Sequence, residues 1–96
     1  MKNMISYWKD VEQVCIDDEG QIIIIGMYDH YNEGNPRKAA GIHWGDYPTS
    51  RGVLAPCVLS NTNALALLSG VLHKAILNSK NSDIDKILSA INYLKD

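Results

Sequence analysis

Residues 21–29 read QIIIIGMYD, with four consecutive isoleucines closed off by Gly20 before and Asp29 after. β-branched side chains are stiff at χ1 and suit a pleated surface better than a helix. The run is also too short for a buried helix, so it predicts a strand. Successive strand residues point to opposite faces. An unbroken apolar run therefore predicts a strand covered on both sides, by the domain's own helix on one and by a second layer or a partner on the other.

Working outward from this strand, residues 11–17 (VEQVCID) are rich in β-branched residues, and Asp18-Glu19-Gly20 is a turn signal. The two runs predict a β-hairpin. On the other side, residues 30–38 (HYNEGNPRK) form a loop punctuated by Gly34, Asn35 and Pro36. Residues 39–45 (AAGIHWG) read as a third strand and residues 53–60 (VLAPCVLS) as a fourth. Pro56 has no amide to donate, so the fourth strand is expected at an edge or with a bulge.

After Ser60 the period changes. Leu65, Leu68, Leu72 and Ile76 recur at helical spacing, with Leu67, Val71 and Ala75 as a second apolar row. Ser60, Asn61 or Thr62 can cap this helix. Its apolar stripe is wide enough to predict burial on more than one side. Asn81-Ser82 reads as a break, with Ser82 and Asp85 resembling a capping box. Ile84, Ile87, Leu88, Ile91 and Leu94 then mark a second, amphipathic helix. The expectation is one α+β domain spanning residues 1–96: a four-stranded, mainly antiparallel sheet (β-β-β-β) followed by two C-terminal helices.

The chain has 96 residues, 46% hydrophobic and 21% charged, which is ordinary for a globular domain. It has no Phe, so Ile, Leu, Val and Ala must fill the core, with Trp and Tyr as the only large rings. The net charge is −2, and the densest basic spot is Arg37-Lys38. That balance disfavours nucleic acid as a partner. The N-terminal MKNMISYWKDVEQ lacks the apolar stretch of a signal peptide, and no apolar run is long enough to span a bilayer. The expectation is a cytoplasmic protein with no membrane partner and with Cys15 and Cys57 reduced.

A chain this small has little of itself to cover a doubly buried strand and a doubly buried helix. Each large aliphatic side chain left exposed forgoes about 1.5–3 kcal/mol. Self-association through the open sheet face or the Leu65–Ile76 helix is therefore expected, as a homodimer in which one patch covers its copy.

Motifs for chemistry are sparse. His30 and His43 have Asp29, Asp46 and Cys57 as possible company, but HxH, HExxH and CxxC are absent, so no metal and no cofactor are expected. Cys57 could pair with His43 or His30 as a nucleophile, and Ser50 lies near Asp46. No GxSxG elbow occurs, however, and Cys57 sits in an apolar run, where a cysteine reads as a small buried hydrophobe. Asp17, Asp18 and Glu19 read as a solvated hairpin tip. Glycines occur at 34, 41, 45 and 52 without a phosphate-loop spacing. Arg51, beside Thr49 and Ser50, offers the better anion contact.

Residues 43–52, HWGDYPTSRG, carry turn chemistry at Gly45-Asp46 and Tyr47-Pro48. What exceeds a turn's needs is the surplus of Trp, Tyr, His and Arg, residue types of which Tyr, Trp and Arg are enriched in binding hot spots. The candidate binding residues are Tyr28, His30, Tyr31, Asn32, Arg37, His43, Trp44, Asp46, Tyr47 and Arg51. They fall in two loop-flanking segments joined by one strand. Brought together by adjacent strands, they would form one aromatic and polar patch.

The stretch IGMYDHYNEGNPRKAAGIHW, residues 25–44, resembles the core of the single-stranded-DNA-binding transcriptional coactivators with the Whirly-like fold. Tyr28, Tyr31, Arg37-Lys38 and Gly41-Ile42 stand in comparable places. The resemblance implies four strands and a helix that dimerise and bind single strands. The chain departs from it by the inserted GDYPTSRGVLAPCVL, a second helix and an acidic balance.

The reading that follows is a small non-enzymatic binding module, homodimeric and accessory or inhibitor-like, of the kind small acidic phage and mobile-element proteins provide. It would engage a protein or small ligand through the aromatic loops. One alternative is a single-stranded nucleic-acid binder that stacks bases on Tyr28, Tyr31 or Trp44 and holds phosphates with Arg37, Lys38 and Arg51. A second is a small enzyme with a Cys57/His nucleophile.

Overall fold

The computed structural model describes residues 7–30 and 33–95. The isoleucine run forms β2 (Ile22–Tyr28), flanked by β1 (Trp8–Ile16) and β3 (Arg37–His43). All three are antiparallel neighbours, and β6 (Cys57–Val58) completes a sheet of order β1-β2-β3-β6. Two short strands, β4 (Thr49–Ser50) and β5 (Val53–Leu54), pair as a separate ribbon. Helices α1 (Asn61–Leu77) and α2 (Asn81–Lys95) follow. The architecture is the α+β class expected: a four-stranded antiparallel sheet, then two C-terminal helices.

Asp17 builds the β1–β2 turn. Its side chain accepts the amides of Glu19 and Gln21, each at 2.9 Å, and Gly20 takes the left-handed conformation at φ 84°. One sheet face turns Ile23 and Ile25, with Val14, Cys15 and Ala40, against Ala64, Leu68, Ala75, Ile87, Ala90 and Leu94 of the helices. Leu65, Leu67, Val71 and Leu72 pack partly buried against this core, so most of the apolar α1 surface is used inside the chain.

The second face of β2 is covered by the chain itself. The β1–β2 register slips between Lys9 and Glu12, with Asp10 at φ 55°, and this bulge folds the start of β1 across the sheet. Trp8, Ile24 and Ala39 form a small buried cluster there, with Val11, Ile22, Tyr28 and Val58 against it. Two glycines make room. A Cβ on Gly26 would lie 2.9 Å from the Lys9 carbonyl oxygen, and one on Gly41 would lie 2.6 Å from the Trp8 ring. Trp8 Nε1 donates to the Pro56 carbonyl at 3.3 Å. Burying roughly 200 Å² of indole at about 25 cal/mol per Å² contributes about 5 kcal/mol before entropy is counted.

Two local expectations change. Residues 53–60 are not one strand: the chain turns at Ala55-Pro56, so that β5 pairs with β4 while β6 reaches the sheet edge. Pro56 cannot donate to a ladder, and the break falls there. The α1–α2 junction is also tighter than a capping box at Ser82 requires. Ser79 is left-handed at φ 55°, its amide donates to the Ile76 carbonyl, and the Lys80 amide donates to Ala75 at 3.0 Å. This is a Schellman stop. The Ile84 amide then donates to the Lys80 carbonyl, so Lys80 both ends α1 and starts α2. At the other end of α1, Ser60 is the cap, its hydroxyl accepting the Asn63 amide at 3.2 Å.

Candidate functional site

The two candidate segments lie at opposite ends of the sheet. Tyr28 pairs with Arg37, whereas Ile22 pairs with His43. Six residue steps of about 3.3 Å put the two ends roughly 20 Å apart. The single patch expected from the sequence does not form, because the strand that links the segments also separates them. Tyr28, His30 and Arg37 belong to the end where β2 runs into the 29–36 loop. His43, Trp44, Asp46, Tyr47 and Arg51 belong to the end of the β1–β2 hairpin turn. Tyr31 and Asn32 lie outside the described residues.

At the loop end the polar residues are engaged by the chain's own groups. Buried Asp29 accepts the amides of Glu33 and Asn35 on Oδ1, at 3.0 and 3.2 Å, and that of Gly34 on Oδ2 at 3.1 Å. The Tyr28 hydroxyl and His30 Nδ1 are 2.8 Å apart. Tyr7 stands edge-on to Tyr28 at 6.5 Å, and Trp8 lies 5.1 Å from the same ring. Arg37 donates to the Asn61 side chain at 3.2 Å and to the Leu59 carbonyl at 3.4 Å. Tyr7 and Trp8 are absent from the sequence-based candidates. The signal available was their adjacency at the start of the first strand.

The three cations named for phosphate binding face different ways. Lys38 points to the helix side, 5.1 Å from the centre of the Tyr93 ring. Arg37 lies on the opposite face by strand alternation, and Arg51 is at the far end. Cys57, expected as a small buried hydrophobe, is exposed, whereas Cys15 is buried. Cys57 sits short of full cover because β6 is a two-residue edge strand. It lies opposite Ile42, so it shares that residue's face, while His43 points to the other. Burial pushes the Cys15 thiol pKa up, and the charges of Asp83 and Asp17 add to the rise. Among the described residues, no three His, Cys, Asp or Glu side chains gather as metal ligands.

At the hairpin end, HWGDYPTSRG resolves into two consecutive tight turns. Trp44 and Tyr47 exchange both backbone hydrogen bonds, at 2.8 and 3.0 Å, around Gly45-Asp46. Gly45 takes φ 57°, as the first central position of such a turn demands. The β4–β5 ribbon then closes on Arg51 and Gly52, both left-handed at φ 54° and 78°. Buried Leu54 and the Ala55 amide, which donates to the Pro48 carbonyl at 2.7 Å, hold the ribbon. Directly opposed residues present their side chains on one side. Trp44 and Tyr47 therefore stand side by side, 46% and 63% exposed.

Other apolar groups gather at this end. Ile16 pairs with Ile22, in the same row as His43. The C-terminal turn of α1 arrives there too, because Lys74 forms an ion pair with Asp18 of the hairpin. An open cleft lies between them, floored by Cys15, Val71 and Ile87. Among the described residues, the exposed large hydrophobics are Ile16, Trp44, Tyr47, Ile76, Leu77 and Leu88. All but Leu88, which is midway along α2, are at the hairpin end. No helix among the described residues is long and apolar enough to cross a membrane. Compared with known proteins, the chain matches no family model, no curated protein and no solved structure.

Proposed function

We propose that the chain is a non-enzymatic binding module that engages a protein through its hairpin end. The observation that supports this is the concentration of Ile16, Trp44, Tyr47, Ile76 and Leu77 on one end of a domain whose other described large apolar groups are mostly covered. Contiguous apolar surface rimmed by polar groups marks interaction sites. Asp46 and Arg51 supply polar neighbours. Two tight turns hold the aromatic pair in place, which lowers the ordering cost of binding. A stoichiometric accessory or inhibitor role in the cytoplasm suits a surface of this kind.

The test is capture from a native extract with immobilised wild-type protein and with the Trp44→Ala/Tyr47→Ala double variant. A protein held by the first and lost from the second is the expected result. A partner retained by both would move the site elsewhere. Base stacking by the same exposed pair is the second reading, since adjacent aromatic rings are also what single strands use. Trp8 is buried, so quenching by an oligonucleotide reports on Trp44. Quenching at low salt that disappears on adding salt would favour nucleic acid; unchanged fluorescence at low salt would remove it.

A further inference from the structure

We propose that the cleft between the β1–β2 turn and the α1–α2 junction binds a small primary amine in its ammonium form, with the short aliphatic body on the cleft floor and the charge held by Asp17 and Asp83. The site goes beyond the protein-binding reading of the hairpin end and stands without it.

The cleft holds about 370 Å³ of space, part of it open to solvent, which is the scale of a small-molecule site. Three elements build it. The hairpin gives Cys15 and Asp17, α1 gives Val71 and Ala75, and α2 gives Asp83 and Ile87. The floor is apolar: Cys15, Ala75 and Ile87 are buried and Val71 is half-buried. A hydrocarbon body laid on it leaves water, while a polar head stays at the rim.

The rim is acidic on balance, with Asp17, Asp18 and Asp83 against Lys74 and Lys80. These charges fall into two groups. Lys74 pairs with Asp18. Lys74, and after it Lys80, hold the Asp18 carboxyl below its usual range, so both lysines act on that one acid. Asp17 and Asp83 form the other group. Both are half-buried, and among the described residues neither has a cation within ion-pair distance. Asp17 spends Oδ1 on the amides of Glu19 and Gln21, and its charge persists with Oδ2 left to accept. Asp83 stands in the first turn of α2. The two carboxylates act on one place: burial pushes the Cys15 thiol pKa up, and the charges of Asp83 and then Asp17 push it further. Partly buried carboxylates without a counter-charge are costly, and a cation at that place relieves both.

The same features select among cations. A divalent metal needs a shell of oxygen ligands, and among the described residues no three His, Cys, Asp or Glu side chains gather to supply one. An anion would meet Asp17 and Asp83, with Lys74 already paired to Asp18. A primary ammonium is a compact charge with three donors on an aliphatic stem. It suits two carboxylates above an apolar floor.

The experiment is a titration of isotope-labelled wild-type protein followed by amide chemical shifts. The probes are pentylamine, pentanol and pentanoate at neutral pH, which share one hydrocarbon chain and differ in charge. Pentylamine is expected to give saturable shifts centred on Asp17, Val71, Ala75 and Asp83, with pentanol at least about tenfold weaker and pentanoate silent, since a charge-assisted contact is lost in each. Asp83→Asn should weaken pentylamine about tenfold and leave pentanol unchanged. Equal affinity for pentylamine and pentanol overturns the proposal, because the cleft would then bind hydrocarbon without reading charge. Shifts that do not saturate, or that centre away from the cleft, overturn it as well. So does an Asp83→Asn protein that binds pentylamine as wild type does. The probe series runs on wild-type protein, so it decides the question even where the variant fails to fold.

Discussion

The two ends of the sheet are built from similar residues and use them in opposite ways. The loop end has Tyr7, Trp8, Tyr28, His30 and Arg37; the hairpin end has His43, Trp44, Tyr47 and Arg51. At the loop end the start of β1 folds back over the sheet, so its rings pack on one another and Arg37 binds the entry to α1. At the hairpin end Trp44 and Tyr47 remain open to solvent. Residue type alone would rank the two regions equally as binding sites. What separates them is whether another part of the chain returns to cover the rings.

The sharpest way to break this comparison is to remove the cover. Trp8→Ala empties the second sheet face above Gly41 and leaves the Pro56 carbonyl without its indole donor. It should cost about 3–5 kcal/mol, read as a lower denaturant midpoint. A loss below about 1 kcal/mol would mean that the loop end is no better packed than the hairpin end. Next in size is Asp29→Ala, which leaves three loop amides without their carboxylate. Hydrogen bonds to a charged group contribute about 1.5–3 kcal/mol each, and the loop's freedom to reach water lowers the net, so about 2 kcal/mol is expected in thermal unfolding.

The cysteines test whether the hairpin end, although open to solvent, is firmly packed beneath. Cys57 should react with an alkylating reagent promptly in the folded protein. Cys15, whose thiol burial holds in the neutral form, should react only on unfolding. Equal rates would show that the layer under Ile16 opens readily. The smallest effect is expected for Asp18→Asn, because the pair with Lys74 is exposed and salt-screened. Lys74 holds the Asp18 carboxyl below its usual range, so the pair's contribution is full above the free value of 3.8 and is lost as pH falls through the lowered one. Asp18 raises the Lys74 pKa, so the contribution is also full below 10.5 and is lost as pH rises through the raised value. A melting curve of wild type minus variant should vanish at both extremes and in high salt.

Much of this protein was legible from residue pattern. The isoleucine run, the Asp18-Glu19-Gly20 turn and the period change after Ser60 each specify local geometry through short-range sterics, and each appears close to where it is expected. The Gly45-Asp46 turn was legible for the same reason, whereas the second turn falls at Arg51-Gly52 and not at Tyr47-Pro48. The candidate site was legible only as a set of residue types. Trp44 and Tyr47 oppose each other across one tight turn, and Arg51 lies in the next turn along the chain. Tyr28 and His30 fall away from them because the antiparallel register of β2 and β3 sends them to the far end.

What the sequence by itself determined was therefore the class of fold, four antiparallel strands and two helices, since hydrophobic period and turn chemistry act over a few residues. Only the tertiary structure decided that Trp8 closes the second sheet face, that Cys57 is open while Cys15 is covered, and that the described aromatic residues at the two sheet ends divide into a packed set and an exposed one. Burial depends on which distant segment arrives over a side chain, and here the covering Trp8 and the carbonyl that holds it, Pro56, are 48 residues apart. No local pattern carries that distance.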